Sequence, residues 1–339
     1  MKAIVIGEPG GPEVLELREV PAPEPGAREI RMRVQAAGVN RADLLQRRGR
    51  YPAPPGVAPD IPGLEYAGVV ERVGAGVTAW RPGDRVMGLV GGGAYAEAVV
   101  VHEDEALPIP ARLSAEEAAA VPEAFITAHD ALFTLLGVGA GDRVLIHAIG
   151  SGVGTAALQL AHTAGAVTFG TSRHAWKLER GAGLGLDVAI DAGREAFADV
   201  VSDRTGAAGV DAVLDLVGGA YLHDNLRALA VRGRMAVVGL VAGRAAELDL
   251  GLLLRKRLTL IGTALRSRSL DEKIAATRAF RDTGLPLLEA GRVRPVLDRV
   301  YPMDAAADAH RRMEANENFG KIVLRWNPDG QRPEDVPAA

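Results

Sequence analysis

Two stretches of this 339-residue chain carry residues spaced for chemistry. The first is RVLIHAIGSGVGTAALQLAHTAGA, residues 143–166. A short apolar run leads into a cluster of glycines, Gly150, Gly152 and Gly154, and a helical pattern opens at Thr155. Such a turn lets backbone N–H groups approach a pyrophosphate, and the helix N-terminus adds partial positive charge. Two registers fit. Gly152-Val153-Gly154-Thr155-Ala156-Ala157 satisfies Gly-x-Gly-x-x-Ala, whereas taking Gly154 as the last glycine puts Ser151 at the middle position. A tight turn in any α/β protein can also be glycine-rich. The strand before it, the helix after it and the strand–helix units that follow favour a dinucleotide.

A dinucleotide with a free ribose calls for an Asp or Glu about twenty residues on, at the end of the second strand. Here the text is GTSRHAWK, with Ser172, Arg173 and, one turn later, Lys177. A hydroxyl and two cations suit a 2′-phosphate, which a carboxylate would repel. The competing reading makes Arg173 and Lys177 solvated residues at a helix start. The expected cofactor is NADPH. The second stretch is PGLEYAG, residues 62–68, with one carboxylate, Glu65, between glycines. Upstream of it, GVNRADLLQRRGRYPAPPG carries the polar residues Asn40, Asp43 and Tyr51.

Bulk properties narrow the chemistry. Hydrophobic residues make up 48% and charged residues 24%, an ordinary globular composition. The net charge of -4 and a pI near 6.0 give no basic footprint for nucleic acid or an anionic membrane. The chain has no cysteine, which removes disulfides, thiolate catalysis and every cysteine-bearing metal site, and fits a cytoplasmic protein. The N-terminus reads as a first strand rather than a signal peptide. Residues 144–171 contain no Asp, Glu, Lys or Arg, but their glycines break them into strand, loop, helix and strand, so no membrane span is expected.

The elements that must position these residues change rhythm along the chain. In the first third, short apolar runs such as EIRMRVQAAGV, AGVVERVG and AYAEAVVV alternate with Gly/Pro punctuation, an antiparallel, barrel-like β domain. From RVLIHA to LTLIGTA, nearly all-apolar strands alternate with helices, which implies a doubly wound parallel sheet. The end of the chain reads strand, helix, strand and returns to the first domain. The division expected is 1–122 with 267–326, a nucleotide domain over 123–266, and a tail over 327–339.

With those pieces placed, the chain resembles the medium-chain dehydrogenase/reductase superfamily, specifically its zinc-independent NADPH:quinone oxidoreductase branch. The resemblance covers residues 1–326 and rests on GVNRADLLQRRGRYPAPPG, PGLEYAG, GGGAYAE, AAAVPEAFITA, HAIGSGVGTAALQLA and NENFGKIVL, in the family's order and spacing. The form NRADLLQRRGRYP is similar to the subgroup related to the human quinone oxidoreductase induced in the tumour-suppressor response. The fold implied is a GroES-like β-barrel catalytic domain with a Rossmann nucleotide domain. Zinc-dependent relatives hold their metal with a cysteine before NRAD, a histidine at the Leu64 position and a later cysteine or carboxylate. Here Asn40 and Leu64 stand instead, so no metal is expected and Glu65 is expected to be a structural acceptor.

The same resemblance implies the site. Tyr51 is expected as a wall and hydrogen-bond donor over nicotinamide and acceptor, Asn40 as a donor to the acceptor oxygen, and Asp43 as an orienting or proton-relaying group. From the residues alone, Asn40 could be a turn residue, Asp43 a helix cap and Tyr51 part of a Pro-rich loop. Thr127 is expected near the nicotinamide, and Ser151, Gly152, Val153 and Gly154 at the pyrophosphate. Gly239, Leu240, Leu265 and Asn318 complete the lining, although Leu240 and Leu265 also read as core. Many relatives carry Asn-Tyr after the third strand of the nucleotide domain; Ile190-Asp191-Ala192-Gly193 stands there, and Asp191 opposes a 2′-phosphate. Relatives pair the edge strand within residues 256–265 across a two-fold axis, which implies a homodimer. Without a metal, hydride donation to an electron-poor quinone is the accessible chemistry, because conjugation stabilises the product oxyanion. Reduction of enone or enoyl C=C bonds is the alternative on the same fold, and an NADPH-binding sensor without turnover the alternative of another class.

Overall fold

The computed structural model describes residues 1–326, and the expected tail over 327–339 lies outside them. The chain divides into two compact units. One comprises Met1–Ile126, Arg266–Glu289 and the residues from Pro295 on; the other comprises Thr127–Leu265 and Ala290–Arg294. The first boundary falls four residues later than the sequence pattern places it (126 against 122), and Ala290–Arg294 joins the nucleotide unit rather than the barrel unit. A side-chain amide explains that last exchange. Gln159 donates to the Arg294 carbonyl at 2.9 Å and accepts the Arg294 N–H at 2.9 Å, as a neighbouring strand would.

In the first unit, seven strands form one sheet in the order Leu297–Pro302, Lys321–Arg325, Glu29–Val39, Glu65–Val73, Arg85–Leu89, Ala106–Pro108, with Ala98–His102 also on Glu29–Val39. All neighbours are antiparallel except the first pair, whose parallel pairing requires a crossover; the helix Ala306–Glu314 supplies it. Ile30, Met32 and Val34, two residues apart, put their side chains into one core with Tyr66, Val70, Val86 and Ile322. Ala306, Ala309 and Met313 present the matching stripe of the helix to that core. Lys2–Ile6 and Leu15–Glu19 form a separate antiparallel pair.

The second unit is built on six parallel strands in the order Val188–Asp191, Val167–Ser172, Arg143–Ile146, Val210–Asp215, Leu229–Val237, Thr259–Gly262. Numbered along this unit the order is 3-2-1-4-5-6, the doubly wound arrangement, and the winding reverses between Arg143–Ile146 and Val210–Asp215. Val144, Leu145, Ile146, Ala212, Val213 and Leu214 are fully buried, as strands covered on both faces must be. The uncharged stretch within this unit is a strand, a loop, the helix Gly152–Thr163 and a second strand. Among the described residues no helix is long and apolar enough to cross a membrane.

Candidate active site

The glycine loop leaves the carboxyl end of Arg143–Ile146, beside the point where the winding reverses. Ala148 turns the chain with φ +50°, a left-handed conformation costing a non-glycine residue about 1–2 kcal/mol. Ser151 then caps the helix Gly152–Thr163, its Oγ accepting the Gly154 N–H at 3.0 Å. A Cβ on Gly154 would stand 2.4 Å from the Ala148 carbonyl oxygen and 2.8 Å from Ile149 Cα. Gly154 is therefore the glycine that lets helix and loop close together, which selects the register with Ser151 in the middle. Among the described residues, the N–H groups of Gly152 and Val153 meet no acceptor. They are the donors that a helix N-terminus offers to an anion.

Of the two cations in GTSRHAWK, only Arg173 is solvent-exposed. Lys177 is 8% exposed, and its stem lies across the loop: a Cβ on Gly150 would meet Lys177 Cδ at 2.6 Å. Its Nζ stands 5.1 Å from the centroid of the Trp176 ring. Ser172 Oγ accepts the His174 N–H at 3.2 Å. Asp191 pairs in register with Ser172, yet its carboxylate serves its own turn, Oδ1 accepting the Gly193 N–H at 2.9 Å with Arg194 at 3.6 Å. A Cβ on Gly239 would lie 2.3 Å from the Leu216 carbonyl oxygen, so only glycine fits where these two strand exits meet. Leu240 is 51% exposed and is not core, whereas Leu265 is buried. Thr127, the first residue of this unit, is buried. His147 is a core histidine: Nδ1 meets Thr171 Oγ1 at 2.8 Å and Nε2 meets Asn225 Oδ1 at 2.6 Å.

The polar residues of the barrel unit fall into an interior chain and a hub. Asp43 occupies the third position of the helix Arg41–Arg47 and accepts the Asn40 N–H at 2.7 Å, the capping role its position allows. Its other oxygen accepts the Gly63 N–H at 3.0 Å. Burial raises the Asp43 pKa to about 6 against the pull of those two N–H groups. Behind it, Arg47 lies 3.1 Å from His310 Nδ1, His310 Nε2 lies 3.2 Å from the Tyr95 hydroxyl, and that hydroxyl lies 3.3 Å from Asp43. A guanidinium only donates, so His310 Nδ1 accepts, Nε2 carries the proton, and the Tyr95 hydroxyl is free to donate to Asp43. Burial and Arg47 press the His310 pKa down to about 3. Arg47 is closed on its outer side by Glu314.

At the hub stands Glu65, fully buried. Its Oε1 accepts from Asn40 Nδ2 at 2.8 Å and from Lys321 Nζ at 2.6 Å, and its Oε2 accepts the Glu123 N–H at 2.8 Å. Lys321 also donates to Asn40 Oδ1 at 2.6 Å and to the Val39 carbonyl at 2.9 Å, which uses all three of its protons. The second proton of the Asn40 amide points to the Gly38 carbonyl at 3.4 Å. The sequence reading aimed this amide at an acceptor outside; the structure turns it inward, because a buried carboxylate and a buried ammonium both require its two ends. Asn318 is likewise turned to its own loop, Nδ2 donating to the Gly320 carbonyl at 2.9 Å. Leu64, beside Glu65, is buried. Among the described residues no three of His, Asp and Glu are grouped to hold a metal ion.

Tyr51 is clamped by Arg266. The guanidinium stands 4.8 Å from the ring centroid and donates to the Tyr51 carbonyl at 3.1 Å, while also holding the Gly91 carbonyl at 2.8 Å and Gln46 Oε1 at 2.6 Å. Burial raises the Tyr51 pKa and Arg266 opposes the rise. Three participants, Glu123, Lys321 and Arg266, were assigned no role from the sequence. Glu123 alone had a local signal: it is the one acid within AAAVPEAFITA.

Comparisons with known proteins agree with this architecture. Residues 184–324 match the family described as zinc-binding dehydrogenase, and residues 26–111 match the alcohol dehydrogenase GroES-like domain. A quinone oxidoreductase of Rattus norvegicus is 32% identical over 332 residues, covering 96% of this chain and 97% of that protein. Among solved structures, an NAD-dependent alcohol dehydrogenase superposes with a TM-score of 0.85 at 34% identity, covering 96% of this chain and 100% of the other. The CurK enoyl reductase superposes with a TM-score of 0.86 at 27% identity, covering 96% and 99%.

Proposed function

This chain belongs to the medium-chain dehydrogenase/reductase family of nicotinamide-dependent oxidoreductases, and from that premise we propose that it reduces quinones, or similarly electron-poor carbonyl acceptors, with NADPH and without a metal ion. One observation carries the metal-free reading: the Lys321 ammonium already sits among Glu65 Oε1, Asn40 Oδ1 and the Val39 carbonyl. The oxygens that could serve a cation are committed to a resident one, and the residue before Glu65 is the buried, apolar Leu64. Zinc needs at least three well-placed N, S or O donors, and Lys321 already occupies the Glu65 and Asn40 oxygens that would have to supply them.

The chemistry a bound reduced nicotinamide supplies is a hydride. The chain's part is to hold and orient. Gly152 and Val153 offer N–H groups to the pyrophosphate, Ser151 fixes the helix start, and Gly154 and Gly239 keep side chains out of the approach. Ser172, Arg173 and Lys177 receive the 2′-phosphate, while Asp191 is kept on Gly193. Thr127, Leu240, Leu265 and Asn318 remain proposed lining residues, the last two through the walls they build. In the barrel unit, Tyr51 is the hydrogen-bond donor to the acceptor oxygen, held in place by Arg266. Asn40 and Asp43 position the hub and the helix start rather than touch the acceptor. An acceptor whose reduced oxyanion is stabilised by conjugation needs placement more than a Lewis acid.

Resemblance to the CurK enoyl reductase keeps reduction of activated C=C bonds as a second reading. The sheet edge supports a homodimer: among the described residues Thr259–Gly262 is paired on one side only, and Leu254 in the helix before it is 75% exposed. The deciding assay follows NADPH oxidation at 340 nm with 1,4-benzoquinone or 9,10-phenanthrenequinone, against NADH, against an enone, and with EDTA. Chelator-insensitive, NADPH-preferring turnover of the quinone is expected. Turnover of the enone alone would move the protein to the second reading, and loss with EDTA would overturn the metal-free one.

A further inference from the structure

Every polar side chain at the hub is accounted for except two. The Asn40 amide, the Glu65 carboxylate, the Lys321 ammonium and the Asp43 carboxylate each have their partners inside the barrel unit. The Tyr51 hydroxyl and the Glu123 carboxyl have none among the described residues, and both residues are partly exposed. The Glu123 carboxyl acts electrostatically on the Tyr51 hydroxyl, and both act on Arg266. A polar cluster whose inner members are saturated and whose two outer members are open is arranged to meet something from outside. We infer that Glu123 is the proton donor to the reduced acceptor, with Tyr51 as the hydrogen-bond donor beside it. This rests on the reductase reading above.

The fixed geometry makes Glu123 fit for this part. Its backbone N–H is anchored on Glu65 Oε2, which sets the start of the wide helical turn Pro122–Ile126. Phe125, two residues on, packs on Phe280 at 6.4 Å between ring centroids, so the turn is held from both sides. Four charges act on the carboxyl. Burial is the largest influence and raises the pKa, Glu65 and Asp43 add to it, and Lys321 and Arg266 oppose it, so that it rises to about 8. Of the other elements packed on this turn, Arg85–Leu89 carries Arg85, whose guanidinium serves the Leu113 carbonyl at 2.8 Å. The helix Leu270–Thr283 brings Phe280, and none of its charged residues is among those acting on Glu123.

The step balances simply. Reduction of the acceptor by a two-electron hydride donor leaves an oxyanion, or an enolate when the acceptor is an enone. The Glu123 O–H bond breaks, a new O–H or C–H bond forms on the product, and the carboxylate left behind takes its next proton from water. An acid with a pKa near the working pH suits this role.

Two measurements test the proposal. The first is the pH profile of kcat/KM for quinone reduction in the wild-type chain and in Glu123→Gln. The wild-type profile should fall above pH 8, and Glu123→Gln should lower kcat by tenfold or more and abolish that alkaline limb. Glu123→Asp should retain the limb with reduced kcat. An unchanged alkaline limb in Glu123→Gln would overturn the role of Glu123 while leaving the reductase reading intact. No turnover of any quinone or enone by the wild-type chain would overturn both.

The second measurement needs no cofactor. A carboxyl with a raised pKa in the native state is ionised in the unfolded chain but not in the folded one between about pH 4.5 and pH 8. Its contribution to stability is complete below that window and lost as the pH rises through it. The Tm of Glu123→Gln should therefore rise relative to wild type between pH 5 and pH 9. A constant difference across that range would show that Glu123 is an ordinary surface carboxylate, and the proposal would fall.

Discussion

The two units solve the problem of holding reactive partners by opposite means. In the nucleotide unit the proposed contacts come from backbone: two N–H groups at a helix start with no acceptor among the described residues, a serine cap, and glycines where any Cβ would strike a carbonyl. In the barrel unit it is done by side chains drawn from residues 40, 43, 65, 123, 266 and 321. A backbone site is local and tolerant of what surrounds it. A side-chain site is long-range, and each member fixes the others.

That contrast can be broken by experiment, and the largest effect is expected in the barrel. Lys321→Met removes the cation 2.6 Å from a fully buried Glu65 carboxylate. Leaving a buried charge without its partner costs about 3–5 kcal/mol. Urea denaturation should show that loss, and the double variant with Glu65→Gln should recover much of it. If Lys321→Met alone is neutral, the hub is not a coupled unit.

The nucleotide unit should answer more mildly to Gly154→Ala. Its new Cβ would lie 2.4 Å from the Ala148 carbonyl oxygen, and opening the loop to admit it should cost about 1–3 kcal/mol. The same variant should weaken NADPH binding measured by fluorescence titration. Normal affinity would mean that the loop does not hold the pyrophosphate. Paired substitution of Arg173 and Lys177 by Ala should raise the KM for NADPH about tenfold or more, as for lost charge-assisted hydrogen bonds, and leave that for NADH within a few-fold. Equal effects would sink the 2′-phosphate assignment. Smallest of all, Tyr51→Phe should lower quinone turnover about two- to tenfold, the worth of one neutral hydrogen bond, with NADPH affinity unchanged. Unaltered kinetics would remove Tyr51 from the site.

The same contrast explains what could be read beforehand. The strand, glycine turn and helix of residues 143–163 announce themselves because all their determinants are contiguous. Even the register ambiguity there was settled by one short approach, Gly154 against Ala148, that no pattern of residue types expresses. Asn40 and Asp43 were legible as polar residues at a helix start, but the inward turn of the Asn40 amide depends on Lys321, 281 residues away. Glu123 was visible as a lone acid in an apolar run, yet its placement depends on Glu65, 58 residues away, which accepts its backbone N–H. Lys177 shows the converse: four residues from Arg173, it has almost no exposure because its stem crosses Gly150.

The chain from Arg47 through His310 and Tyr95 to Asp43 has a direction. Its two ends fix that direction: the guanidinium can only donate, and the Asp43 carboxylate, which also holds the Gly63 N–H, accepts. A substitution such as Arg47→Met would free the imidazole to change tautomer and the phenol to rotate. The carboxylate would then lose its phenol donor and keep the N–H groups of Asn40 and Gly63. The direction in which the Tyr95 hydroxyl points is thus set by an arginine that touches neither it nor Asp43.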